Sequence, residues 1–338
     1  MSTRSAPQAP SSQTASSCDY VIGFDVGGTR LKSGAVARDG RFLLEAVQPT
    51  GANEGAEELL EALSAQVARI SEQIGRKPRA IALALPGAIH PQSGIVLLPG
   101  RLKGMENFPI VPRLQERSGV PTVADNDGRI SMIAEKQFGL ARDRKWALSI
   151  TLGTGVGSGV MLDGHIWRDP HLQFGTQAGH IVMQPHGGHL CLTGARGTAE
   201  MSCSALALAE SVRNGLARGI PSVLSDRFFA DSNAIDFEAV IEGVAQNDRL
   251  CADELKLWTE KVGWFLVSAA HAYAPEIIIL SGGAVNAARY FLEELQAHLN
   301  AHIFRYPVGE PLPIAISQMG DRAGVLGAGA VAWQLAGE

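Results

Sequence analysis

Residues 20–32, YVIGFDVGGTRLK, constrain the fold of this chain more than any other stretch. Tyr20, Val21, Ile22, Gly23 and Phe24 form an apolar run with the length and content of a buried strand. The run meets Asp25 and then Gly27-Gly28-Thr29, and a second strand-like run over 31–36 follows at once. Two strand signals across a Gly-Gly pair predict a β-hairpin with a tight turn. Glycine admits φ > 0 and lets bare backbone approach a ligand. The N–H groups of Gly27 and Gly28, with the Thr29 hydroxyl, can therefore form an anion-binding concavity. Asp25, one strand-end away, is where a phosphate-bound metal can be held through water. Taken alone, the stretch is equally compatible with an ordinary Gly-Gly hairpin carrying a surface Asp.

A second stretch of the same kind shifts that balance. Residues 147–160, ALSITLGTGVGSGV, run from apolar residues into a turn of Gly153, Thr154 and Gly155 and continue with alternating glycines. Two such hairpins, far apart in sequence, point to two halves that each offer a phosphate loop to one ligand. Neither is a helix-opening phosphate motif. The chain has no G-x-x-x-x-G-K-[ST], and Gly153-x-Gly155 is followed by Ser158 where the dinucleotide fingerprint needs Gly. This argues against a P-loop enzyme and against a Rossmann dehydrogenase.

At 338 residues, the chain is long enough for two cores, since single cores stop growing near roughly 250–300 residues. Its 46% hydrophobic and 19% charged content is that of a globular protein. A net charge of −5 provides no basic field for nucleic acid or anionic membrane. Cys18, Cys191, Cys203 and Cys251 lack disulfide-framework spacing, which points to free thiols in a cytoplasmic, reducing compartment. No apolar run approaches the ~18 residues of a membrane span. Residues 1–18 are rich in Ser, Thr, Pro, Gln and Ala without an apolar core, so they are expected to form a disordered tail rather than a signal peptide.

Further along, residues 41–47 read as a third strand. Asn53 reads as the N-cap of a helix whose apolar positions Leu59, Leu60, Leu63, Val67, Ile70 and Ile74 form one stripe, stopped by Gly75. Residues 80–85 predict a buried strand, 94–98 a short strand and 109–118 a helix. Another buried strand, 120–124, delivers Asp125, Asn126 and Asp127 to its carboxyl end, where open α/β sheets bind ligands. A helix over 129–138 follows, with Asp127 as a candidate N-cap. Residues 163–200 are Gly- and His-rich with little periodicity, and 202–273 read as helical. A buried strand over 277–280 runs into Ser281-Gly282-Gly283; a helix (285–303), a strand (314–317) and an Ala/Gly-rich helix (323–335) complete the chain. Two sets of strands followed by helices predict two α/β domains with a cleft between them. The expected small domain is 19–128, completed by a C-terminal helix near 322–338, and the large domain is 129–321.

DVGGT at 25–29, LGTGVGSG at 152–159, the Asn126-Asp127 corner and LSGGAV at 280–285 together resemble the ROK family (repressors, open reading frames and sugar kinases). The resemblance runs from about residue 20 to the C-terminus and implies the two-domain actin-like, hexokinase-like ATPase fold. It also implies residue roles. Asp127 would be the general base that takes the proton of an attacking sugar hydroxyl, and Asn126 would hydrogen-bond the sugar. His180, in the AGH segment 178–180, and Glu200 match further sugar-binding positions. Asp25 would hold Mg²⁺ through water. Gly27, Gly28, Thr29, Gly153, Thr154 and Gly155 would cradle ATP phosphates, with Gly282 and Gly283 at the adenosine.

The sequence departs from the family pattern in two places. Gln177 stands where the family has Glu; it keeps an acceptor and gains a donor but loses charge-assisted bonds to sugar hydroxyls. Of the family's zinc ligands only His180 and Cys191 survive, Thr193 and Thr198 replacing thiolates. A structural zinc is not expected, although His186 and His189 lie in the same loop. The implied activity is ATP- and Mg²⁺-dependent phosphorylation of a hexose or hexose derivative at its 6-hydroxyl, with glucose as the default. The implied partner is this small molecule, without nucleic acid or membrane, and a second copy of the chain is a candidate. The alternative is a sugar-responsive regulator or catalytically silent sugar-binding protein, against which the retained Asp127 counts.

Overall fold

The structure is a computed structural model that describes residues 19–28, 30–50, 55–90, 92–98, 100, 102–168, 177–304 and 310–337. The tail expected over 1–18, Thr29 of the first turn and the Asn53 cap lie outside the described residues.

The predicted first hairpin is β1 (Val21–Val26) paired antiparallel with β2 (Arg30–Val36), and β3 (Phe42–Pro49) extends it. Helix α1 (Ala56–Ile74) buries the predicted stripe and ends at Gly75 in the left-handed conformation. Its five-residue successor β4 (Ile81–Leu85), fully buried, then pairs parallel with β1. A small ribbon of β5 (Ala88–Ile89) and β6 (Val96–Leu98) precedes α2 (Ile110–Ser118). Strand β7 (Thr122–Asn126) closes the first sheet in the order β3-β2-β1-β4-β7. Asp25, Ala84 and Asp125 lie level across its three parallel strands.

After α3 (Asp127–Phe138) the plan repeats. The meander β8 (Ala147–Leu152), β9 (Val156–Leu162) and β10 (His165–Ile166) opens a second sheet. The expected helical region 202–273 resolves into α4 (Ala199–Cys203), α5 (Ala205–Ala217), α6 (Ser225–Ala230), α7 (Phe237–Ala245) and α8 (Arg249–Tyr273). Strand β11 (Ile277–Ser281) then pairs parallel with β8, and α9 (Leu292–His302) leads to β12 (Ile314–Ile316). The order β10-β9-β8-β11-β12 mirrors that of the first sheet. The helix expected over 285–303 is broken. A 3₁₀ run, Gly283–Tyr290, precedes α9, and Phe291 between them turns inward to meet Trp258 edge-on at 5.3 Å. Burying that ring holds Phe291 at φ −140°, outside helical geometry.

Between the sheets lie α3 and the final helix α10 (Ala323–Leu335). One core joins Val21, Val36, Ala82 and Ala84 of the first sheet to Ile130 and Ile133 of α3 and to the small residues of α10. Met132, on the other side of α3, packs with Ala147, Met161 and Ile279 of the second sheet. The protein is thus a pair of similar α/β lobes with two helices sandwiched between them, and α3 starts at the carboxyl end of β7.

Candidate active site

At the β7–α3 corner, Asn126 rather than Asp127 caps the helix. Its Oδ1 accepts from Gly128 N at 3.0 Å and Arg129 N at 3.3 Å, while Nδ2 donates to the Gly87 carbonyl at 2.9 Å. Its Nδ2 has no second acceptor among the described residues. Asp127 is released from capping and becomes the first helical residue, exposed to solvent. One of its carboxylate oxygens, Oδ1, accepts Gly128 N at 2.8 Å, and no other residue among the described ones holds Oδ2. Although solvent reaches the carboxyl, protein surrounds it. This crowding and the negative charge of Asp25 push its pKa up to about 6, against the pull of the Gly128 N–H and Arg129. Arg129, wholly buried, pairs with buried Asp125.

Asp25 faces Lys32 across the hairpin, with Lys32 Nζ 3.7 Å from its Oδ2. The same ammonium lies 3.3 Å from Asp321 Oδ1 ahead of α10. Burial raises the Asp25 pKa despite Lys32. Gly27 N donates to Arg30 O at 2.9 Å and its carbonyl accepts Thr50 Oγ1 at 2.8 Å, so this N–H serves the turn rather than a ligand. Gly27 also stays outside the left-handed region. Thr29 lies outside the described residues.

The second turn is braced from behind. Gly153 N donates to Gly155 O at 3.0 Å, and Gly153 O accepts Ala205 N at 2.8 Å. Thr154 is exposed at its tip. Glu200, in the first turn of α4, accepts Val156 N at 3.1 Å, so a predicted sugar residue also fixes the phosphate turn. Gly282, at φ 90°, lies so close to this hairpin that a Cβ there would sit 2.4 Å from Leu152 O. Its neighbour Ser281 shares a hydroxyl contact of 3.0 Å with Thr151, and the space beside Gly283 is open.

Strand β9 gathers these parts. Ser158 Oγ accepts Ala178 N at 2.9 Å, which docks the 3₁₀ turn 178–180, and Gly128 beside Asp127 packs directly on the Ser158 backbone. A Cβ on Gly128 would fall 2.5 Å from Ser158 O. The segments that carry Asp127, Gln177, His180 and Glu200 therefore meet β9 around residues 156–158 from three elements. Gln177 is half-buried at the start of the 3₁₀ turn, with its side chain unbonded among the described residues. Ser158, Thr50 and the Asp125–Arg129 pair are structural supports that the motif reading missed. Only the Asp-x-x-x-Arg spacing offered a sequence signal.

Two metals are implied by the resemblance. For Mg²⁺ the site fits: Asp25 is three-quarters buried, charge-coupled to Asp127, and incompletely balanced by one lysine at 3.7 Å. For zinc the donor set does not fit. His180 Nδ1 lies 3.5 Å from Cys191 Sγ, but Thr198 is a buried residue at the α4 N-cap and Thr193 is exposed, as are His186 and His189. Two neutral hydroxyls do not complete a closed tetrahedral zinc site.

A glucokinase of Thermotoga maritima is 27% identical over 313 residues, covering 92% of this chain and 96% of that protein. An N-acetylmannosamine kinase of Escherichia fergusonii is 28% identical, covering 92% and 97%. Among solved structures, a ROK family glucokinase from Streptomyces griseus in complex with glucose and AMPPNP superposes with a TM-score of 0.80 at 25% identity, covering 93% of this chain and 99% of that one. Such likeness over nearly whole chains confirms the actin-like ATPase fold. Because the ROK family model also matches residues 21–335, the chain belongs to the ROK family.

Proposed function

We propose that this protein is an ATP- and Mg²⁺-dependent sugar kinase that phosphorylates a hexose or hexose derivative at its 6-hydroxyl, with glucose as the first substrate to try. The observation that carries this reading is Asp127: an exposed carboxylate with a pKa of about 6, free of capping duty, beside the segments of Gln177, His180 and Glu200. The kinase relatives described above support the same class of reaction.

In this reading Asp127 Oδ2 takes the proton of the sugar hydroxyl as it attacks the γ-phosphate. A base whose pKa lies just below neutral is ionised at pH 7 yet still basic enough to accept a proton. Asn126, Gln177, His180 and Glu200 hold and orient the sugar, and the two glycine turns orient the phosphates. Phosphoryl transfer depends on such positioning and on charge neutralisation more than on covalent help from the protein. Asp25 would hold Mg²⁺, which would supply neutralisation of the phosphate charge. Residues 19–128 with 322–338, and 129–321, act as the two lobes that close on the sugar to exclude water. Free buried thiols fit a cytoplasmic setting.

The deciding experiment is a coupled ADP-release assay over aldohexoses, ketohexoses, hexosamines and N-acetylated hexosamines. Sugar-stimulated turnover is expected. If no sugar raises turnover above the background ATPase rate, the protein is a sugar-responsive regulator instead.

A further inference from the structure

Beneath the corner that presents Asp127 lies an ion network that the proposed reaction leaves unused. Asp125 and Arg129 flank Asp127 by two residues on either side, and each side chain is 1% exposed. Asp125 Oδ1 accepts the Asn126 N–H at 2.6 Å together with the Arg129 guanidinium. Its Oδ2 accepts a second guanidinium, that of Arg168. Arg168 is 42% exposed and follows β10, the edge strand of the second sheet, whereas Asp125 is next to last in β7 of the first. The segment that carries Arg168 touches α3 at its other end, where Lys136 Nζ donates to the Gly164 carbonyl. The 163–168 arm is thus fastened to α3 near one end and to β7 near the other, and the β7 fastening lies two residues before the candidate base.

We infer that Arg168 is a positioning residue: by clamping Oδ2 of Asp125 from the second sheet, it fixes the β7–α3 corner so that Asp127 is aimed at the sugar hydroxyl. The inference rests on the kinase reading above. A buried carboxylate is tolerated when both oxygens are paired. With Oδ2 released, Asp125 is free to rotate about Arg129, and the Asn126 N–H that it anchors moves with it. The corner holding Asn126 and Asp127 then loses its fixed register against Ser158. Misplacement by about 1 Å costs up to ~10²-fold in rate. Direct sugar contact is the rival role, and it would appear in KM instead.

The test compares Arg168→Met, Arg168→Lys, Asp125→Asn and the double variant Asp125→Asn/Arg168→Met in full-length protein, measuring kcat, both KM values and melting temperature. For Arg168→Met, kcat is expected to fall ~10–100-fold, with the ATP KM within about twofold of the parent and a rise in sugar KM much smaller than the loss in kcat, since Asn126 shares the displaced corner. Arg168→Lys should recover most of the loss, since it restores a cation to Oδ2. The double variant should lose no more than Asp125→Asn alone, because coupled residues are non-additive. Parental kcat in Arg168→Met, a raised sugar KM with kcat preserved, or additive losses in the double variant would each overturn the inference while leaving the kinase reading intact. A parent that turns over no sugar would overturn the kinase reading, and the inference with it.

Discussion

Asp127 owes its character to what its neighbours do. Asn126 takes the N-cap, accepting the Gly128 and Arg129 N–H groups, so the aspartate is left with the shared Gly128 N–H and less of the hydrogen bonding that lowers a carboxyl pKa. Crowding by protein, and then Asp25, raise it to about 6 instead. Asp127→Asn should preserve sugar binding and cut kcat by ~10²–10⁴, because the amide keeps the size but cannot accept a proton. The parent's kcat should decline as pH falls through about 6, where the base becomes protonated. A profile flat from pH 5 to 8 would remove Asp127 from the proton transfer. The same shift makes a stability prediction. The folded pKa of about 6 exceeds the ordinary 3.8, so the folded state binds this proton more tightly than the unfolded chain. Ionised Asp127 therefore destabilises the fold increasingly as pH rises from 3.8 to about 6, and fully above that. Asp127→Asn should melt higher than the parent at pH 8, by a margin that shrinks toward pH 4. At Gln177 the expectation concerns preference. Gln177→Glu should redistribute activity among sugars more than it changes the best rate, because sites built on hydroxyl partners discriminate by leaving groups unpaired. An identical sugar profile would show that this side chain does not touch the sugar.

Among the elements, the hairpins and α1 were legible because turn chemistry and apolar spacing are local. The glycine pair predicted β1–β2, and the Leu59 to Ile70 stripe with Gly75 predicted α1 to within a few residues. The break before α9 was not legible, because it depends on Phe291 meeting Trp258 on α8, a contact between residues 33 positions apart (291 minus 258). The Arg168 clamp was hidden for the same reason. Asp127 was readable as chemistry, but whether it or Asn126 capped α3 turned on the exact start of the helix, which spacing does not resolve. The Ala/Gly content of α10 did forecast close packing. Gly327 lies against α3, where a Cβ would come 2.1 Å from Ile130 O. Gly327→Ala should destabilise the protein by about 1–3 kcal/mol, the usual cost of overpacking, and lower kcat as well, since α3 carries Asp127. Normal melting and normal turnover would mean that the two helices part without consequence. In the 182–198 loop, backbone bonds such as Gln184 N to Gly197 O at 3.0 Å and Gly197 N to His189 O at 2.9 Å tie the two arms together. Protein purified without a metal-affinity tag should hold far less than one zinc per chain and melt identically after chelation. Stoichiometric zinc whose removal lowers the melting temperature would point to His186 or His189 as replacement ligands.

On the scale of the whole molecule, the two sheets share one strand order and each contributes one glycine turn, 27–28 from the first and 153–155 from the second. A ligand that touches both turns must bridge two bodies whose cores are largely separate, one built on α1 and α2 and the other on α4 to α9. What joins them is α3 with α10, and α3 is packed on both sides. Relative motion of the lobes about this sandwich costs little burial in either main core, which makes closure by rigid lobes the cheap response to a bridging ligand. Sugar together with a non-hydrolysable ATP analogue should therefore reduce the radius of gyration measured by small-angle scattering relative to the ligand-free protein. Sugar alone should produce part of that change, because Asn126 and Asp127 sit on the first lobe's strand end while His180 and Glu200 belong to the second. A radius unchanged by saturating ligand would show that the lobes are already closed, and water would then have to be excluded by side chains around Asp127 rather than by domain movement.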